Sequence, residues 1–133
     1  MKLIINTDGG SRGNPGPGAI GVVIRDESGK IIKTHKECVG KVTNNQAEYL
    51  ALVSGLNLAK AQGGTEVACR LDSELLVKQM RREYKVKDPN IGPLFIKANN
   101  AAILFKSVSF THIRRELDHE ADALVNEALD GDC

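Results

Sequence analysis

Apolar positions fall into short blocks separated by glycine, proline and polar turns. Residues 2–8 form an apolar run without clean alternation, the pattern of a strand buried on both faces and ending at Asp8. Residues 9–18, Gly-Gly-Ser-Arg-Gly-Asn-Pro-Gly-Pro-Gly, read as a loop. Residues 19–26 and 30–39 are rich in β-branched side chains and flank the turn Asp26-Glu27-Ser28-Gly29, so they predict a hairpin. Thr43-Asn44-Asn45-Gln46 matches a capping box, and Ala47, Leu50, Ala51, Ser54, Leu58 and Ala61 follow at helical spacing up to Gly63-Gly64. A strand is expected over 66–72, and a short helix capped by Ser73 through Arg82. Residues 83–93, with Pro89 and Pro93, read as a loop. A helix over 94–105 and a strand over 107–113 follow, and Ala121, Leu124, Val125 and Ala128 mark a last amphipathic helix.

The predicted order, βββαβααβα, is an α/β fold: a mixed five-stranded sheet with its first three strands antiparallel and helices on its faces. No repeat or linker interrupts it, and 133 residues suit a single domain spanning 1–133.

Composition narrows the function. Lys plus Arg number 18 and Asp plus Glu 17, giving a net charge of +1, so a globally basic nucleic-acid binder is not indicated. There is no Trp, and three Phe and two Tyr do not build an aromatic stacking surface for single strands. No apolar run approaches the roughly 20 residues of a membrane span, and Met1–Asp8 lacks a signal-peptide core, so no membrane association is expected. Cys38, Cys69 and Cys133 are widely spaced with no Cys-x-x-Cys. Cys38 and Cys69 read as small buried hydrophobes in strands, and the expected compartment is a reducing cytoplasm. Gly16-Pro17-Gly18-Ala19-Ile20-Gly21 fits G-x-G-x-x-G but precedes a strand, which excludes a dinucleotide site.

The topology brings acids together. Asp8 and Asp72 end strands that would be parallel neighbours, Glu48 lies in the first turn of the first long helix, and Asp122 in the first turn of the last. Four clustered carboxylates repel one another unless a cation compensates, and oxygen-only donors favour Mg²⁺ or Mn²⁺. Two such ions suit displacement at a phosphodiester. The bland alternative is that each acid serves a helix start or a cap. The acids at 116, 118, 120, 127, 130 and 132 read as a solvated C-terminal face.

Four segments resemble the motifs of type 1 ribonuclease H: Asp8 through Gly18, Thr43-Asn44-Asn45-Gln46-Ala47-Glu48, Leu71-Asp72-Ser73-Glu74, and Glu120-Ala121-Asp122-Ala123-Leu124-Val125-Asn126. They occur in the family's order and cover essentially the whole chain. The resemblance implies hydrolysis of the RNA strand of RNA/DNA hybrids, leaving 5′-phosphate and 3′-hydroxyl ends, with Asp8, Glu48, Asp72 and Asp122 holding the metal ions. It also implies a monomer, and substrate contacts from Gly9, Gly10, Ser11, Asn14, Thr43, Asn44, Asn45 and Glu74, some of them to the RNA 2′-hydroxyls. Glu74 stands where some relatives have Gln. The segment Ile113–Asp122 is short and resembles that of archaeal and some bacterial members, which implies Arg115 as the candidate for the catalytic or phosphate-binding role of a histidine in the longer loop of other relatives, the alternative being a surface ion pair. His119 reads as structural, and His35 and His112 as bystanders in strands.

The basic, Trp-bearing protrusion of long relatives is missing, but Lys78, Arg81, Arg82, Lys85 and Lys87 face the single acid Glu83 across that stretch. This patch is expected to contact the DNA strand's phosphates, the alternative being a solvated helix end. The competing readings are a nuclease for double-stranded RNA or branched DNA, and a non-catalytic hybrid-binding module.

Overall fold

In the computed structural model, which describes residues 1–133, the chain runs β1 (Lys2–Ser11), β2 (Gly16–Asp26), β3 (Ile31–Val42), α1 (Asn44–Ala61), β4 (Glu66–Leu71), α2 (Glu74–Met80), α3 (Gly92–Ala102), β5 (Ser107–His112), a 3₁₀ turn (Arg115–Asp118) and α4 (His119–Gly131). The sheet order is β3-β2-β1-β4-β5. β1 and β2 pair antiparallel, as do β2 and β3, whereas β4 runs parallel to β1 and to β5. This is the expected mixed sheet.

Side chains alternate across β1. Leu3 and Ile5 face α1 and join Val22, Ile24, Tyr49, Leu52 and Leu56 in the main core, where all seven are at most 2% exposed. Each such buried aliphatic side chain contributes about 1.5–3 kcal/mol. The Tyr49 hydroxyl keeps its hydrogen bond there by donating to Gln79 Oε1 at 2.6 Å. On the opposite face, α4 packs through Val125 and Ala128 against Ala19. A Cβ at Gly21 would come within 2.3 Å of the Ala121 carbonyl oxygen, so only glycine lets α4 lie this close.

Three expectations need correction. The glycine segment does not break β1 at Asp8: Gly9, Gly10 and Ser11 continue the strand and pair with Ile20, Ala19 and Gly18. Glycines weaken a strand through entropy, but here a Cβ at Gly9 would sit 2.2 Å from the Ala47 carbonyl oxygen, so close approach of α1 requires one. Cys38 is not a free packed thiol. It forms a disulfide with Cys133, joining β3 to the end of the chain across 95 residues, while Cys69 is free and buried as expected. Finally, a 3₁₀ turn precedes α4 and buries Asp118 at 1% exposure, so this acid does not belong to the expected solvated face.

Candidate active site

The parallel register of β1 and β4 sets Thr7 beside Leu71, and the acids that follow each, Asp8 and Asp72, project at the same sheet end. Asp8, Glu48, Asp72 and Asp122 line one cleft together with Gly9, Gly10, Ser11, Asn44, Asn45 and Arg115. Glu48 lies in the second turn of α1, not the first, because the helix begins at Asn44. That extra turn lets Glu48 Oε1 accept the Gly9 backbone N–H at 2.6 Å, fastening α1 to β1 beside Asp8.

Thr43 closes a capping box with Gln46: its Oγ1 accepts the Gln46 N–H at 3.2 Å, and its own N–H donates to Gln46 Oε1 at 2.8 Å. One turn of α1 is thereby fixed against the glycine strand. Asn44 Oδ1 accepts the Ser11 N–H at 3.0 Å, and the Asn44 N–H donates to Asn14 Oδ1 at 3.0 Å. Ser11 and Asn44 thus line one side of the cleft, with Asn14 and Thr43 bracing Asn44 from outside its lining. Glu74 lies apart from it, on the first turn of α2, and pairs with Lys78 at 2.8 Å. Arg115 is 80% exposed on its side chain, and its Nη2 comes within 3.7 Å of Asp122 Oδ1. Asp122 Oδ2 also accepts from Asn126 Nδ2 at 3.4 Å. His119 Nδ1 sits 3.2 Å from the Glu116 carbonyl oxygen, outside the cleft lining.

The electrostatics point one way. Burial, then the Asp72 charge, pushes the Asp8 carboxyl up to about 7. Burial raises Glu48 as well, with Asp8 and Asp72 adding to the effect. Asp72 is raised too, chiefly by burial, although Glu48 and Arg115 pull it down. Carboxylates driven this far from their ordinary range form a site short of positive charge, which hard divalent cations supply.

Asp118 is the residue that the sequence reading missed. One carboxylate oxygen from each of Asp8, Asp72 and Asp118 lies within 4.8 Å of the others. Burial raises Asp118 to about 8, against the lowering effect of its hydrogen bond from Asn6. Its signal in the sequence is indirect: Asn6 is a polar residue inside an apolar strand, and a buried amide needs a partner.

A family model described as reverse transcriptase-like matches residues 6–128. The bifunctional protein Rv2228c of Mycobacterium tuberculosis is 40% identical over 131 residues, which cover 98% of this chain and 36% of that protein's length. RNase H1 from the halophilic archaeon Halobacterium salinarum has a solved structure that superimposes with a TM-score of 0.96 at 38% identity, covering 98% of each chain. LC11-RNase H1, solved in complex with an RNA/DNA hybrid, gives a TM-score of 0.92 at 45% identity over 96% of each chain. With the sheet order, the acidic cleft and these relatives in agreement, the chain belongs to the type 1 ribonuclease H family.

Proposed function

We propose that this chain is a divalent-metal-dependent endoribonuclease that cuts the RNA strand of RNA/DNA hybrids, leaving 5′-phosphate and 3′-hydroxyl ends. The convergence of Asp8, Glu48, Asp72 and Asp122 on one cleft carries the reading. Their all-oxygen donor set fits two Mg²⁺ or Mn²⁺ ions, which when bound activate water and stabilise the departing 3′ oxygen. The protein's part is to hold four carboxylates in a fixed array, and the Gly9–Glu48 hydrogen bond and the capping box at Thr43 preset that array before substrate arrives.

The rim of Gly9, Gly10, Ser11, Asn14, Thr43, Asn44 and Asn45 offers backbone and side-chain groups suited to the 2′-hydroxyls of the RNA strand. Glu74, on the first turn of α2 and outside the cleft lining, is a further substrate contact of this reading. Arg115 reaches over the cleft toward Asp122 and, freed from it, holds a phosphate oxygen. The basic stretch with Lys78, Arg81, Arg82, Lys85 and Lys87 follows the DNA strand's phosphates.

We further propose that residues 1–133 act as one ribonuclease H domain and as a monomer. No helix is long and apolar enough to cross a membrane. A cytoplasmic site of action stays the proposal, and the Cys38–Cys133 bond, which replaces the free thiol expected at Cys38, is the feature that a reducing compartment would open.

The test is a panel of labelled RNA/DNA hybrid, duplex RNA, branched DNA, duplex DNA and single-stranded RNA, each with Mg²⁺, Mn²⁺ or a chelator. Cleavage of the hybrid's RNA strand with metal alone is expected. Hybrid binding without cleavage under every metal condition makes the chain a binding module, and cleavage confined to duplex RNA or branched DNA reassigns the substrate.

A further inference from the structure

Beneath the cleft lies an acid that the four expected ligands leave without a role. Asp118 stands at the N-cap of α4, yet its side chain makes no capping hydrogen bond. Its Oδ1 accepts the Asn6 side-chain amide at 3.2 Å. Its Oδ2 has no hydrogen-bond partner, although the residue is 1% exposed.

A carboxylate oxygen in the interior with nothing to accept from is costly, and native structures keep few of them without a reason. Arg115, on the same turn, turns toward Asp122. One carboxylate oxygen of Asp118, one of Asp8 and one of Asp72 all lie within 4.8 Å of one another. Three hard oxygen donors around one small volume are matched by a hard divalent cation.

We propose that Asp118, with Asp8 and Asp72, forms a divalent-cation subsite in which the bare Oδ2 contributes a fifth carboxylate from below the cleft. Asn6 selects the oxygen: by occupying Oδ1 it leaves Oδ2 as the free donor. The inference rests on the proposed function only in taking a divalent ion to work in this cleft.

Asp118→Asn is the decisive variant, because the amide keeps an oxygen for Asn6 to donate to and removes the charge. Mn²⁺ affinity is measured calorimetrically without nucleic acid, with circular dichroism to check folding. Weakening by roughly tenfold or more is expected, the range seen when groups that tune a metal site are removed. Affinity equal to that of the unaltered protein overturns the proposal.

Asp8→Asn, titrated in parallel, separates the two readings. If Asp8→Asn loses Mn²⁺ binding and Asp118→Asn keeps it, the subsite falls and the four-acid site stands. If neither loses binding, both fall. Should Asp118→Asn not fold, ¹³C NMR of the unaltered protein reads the Asp118 side-chain carboxyl directly. A shift on Mg²⁺ addition that tracks the Asp8 signal supports the proposal, and an Asp118 signal that stays still while Asp8 moves overturns it.

Discussion

Asn6 and Asp118, 112 residues apart in sequence, meet through a single buried hydrogen bond of 3.2 Å from the Asn6 amide to Asp118 Oδ1. The bond joins the strand that carries Asp8 to the turn that launches the helix carrying Asp122. Two acids of the cleft are thus referenced to each other through a pair that lies outside its lining.

Removing the amide leaves Asp118 with neither oxygen satisfied. Asn6→Ala should cost about 1–3 kcal/mol, the penalty of orphaning a buried acceptor. Urea unfolding of the metal-free protein measures it, and unchanged stability would show that the bond is not maintained in solution.

Asp8 and Asp118 ionise near 7 and 8 in the fold, against a reference of 3.8. Between these limits the folded chain holds protons that the unfolded chain has released. Stability of the metal-free protein should therefore be highest below about pH 4 for these two groups and decline as pH rises toward 8. Added Mg²⁺ should recover the loss, because it binds the folded state alone. Melting temperatures across pH 4–8, with chelator and with Mg²⁺, test this, and a melting point that climbs toward pH 8 in chelator contradicts it.

Asp8→Asn should abolish hybrid cleavage while leaving the metal-free fold at least as stable, since one member of a repelling set becomes neutral. Activity assays paired with thermal melts decide it. Near-normal turnover would refute the role assigned to Asp8.

At Gly9 a methyl group has nowhere to go, with the Ala47 carbonyl oxygen 2.2 Å and the Glu48 nitrogen 2.6 Å from its position. Gly9→Ala should cost about 1–3 kcal/mol by overpacking. It should also lower turnover, because α1 moves and takes Glu48 with it. Intact turnover in a destabilised variant would separate the packing from the chemistry.

Reducing the Cys38–Cys133 bond should lower stability by about 2–4 kcal/mol, since it closes a long loop. Denaturant midpoints with and without reductant report this, and Cys38→Ser should respond to neither condition.

The fold was legible where local chemistry agrees with tertiary need. The capping box at Thr43, the turn at Asp26–Gly29 and the apolar blocks all mark elements close to where they form. Legibility failed where a contact between distant segments overrides local preference. Gly9 and Gly10 look like loop residues and are strand residues paired with β2, and at Gly9 the close approach of α1 requires a glycine. Asp118 reads as a surface acid among other surface acids and is buried, because Asn6 waits for it across the sheet. Cys38 and Cys133 carry no local mark of their pairing, since spacing alone does not fix connectivity. The four acids of the cleft were readable from their motifs, and Glu48 needed only to move by one turn.

Because β1 pairs with β4 in a register that sets Thr7 opposite Leu71, the carboxyl array is tied to strand alignment. Side chains alternate, so slipping β1 by one residue would send Asp8 to the α1 face and Asn6 away from Asp118. A misaligned sheet would thus lose several donors in a single step. Activity measures the correctly aligned population, and a chain trapped out of register would be silent, not slow.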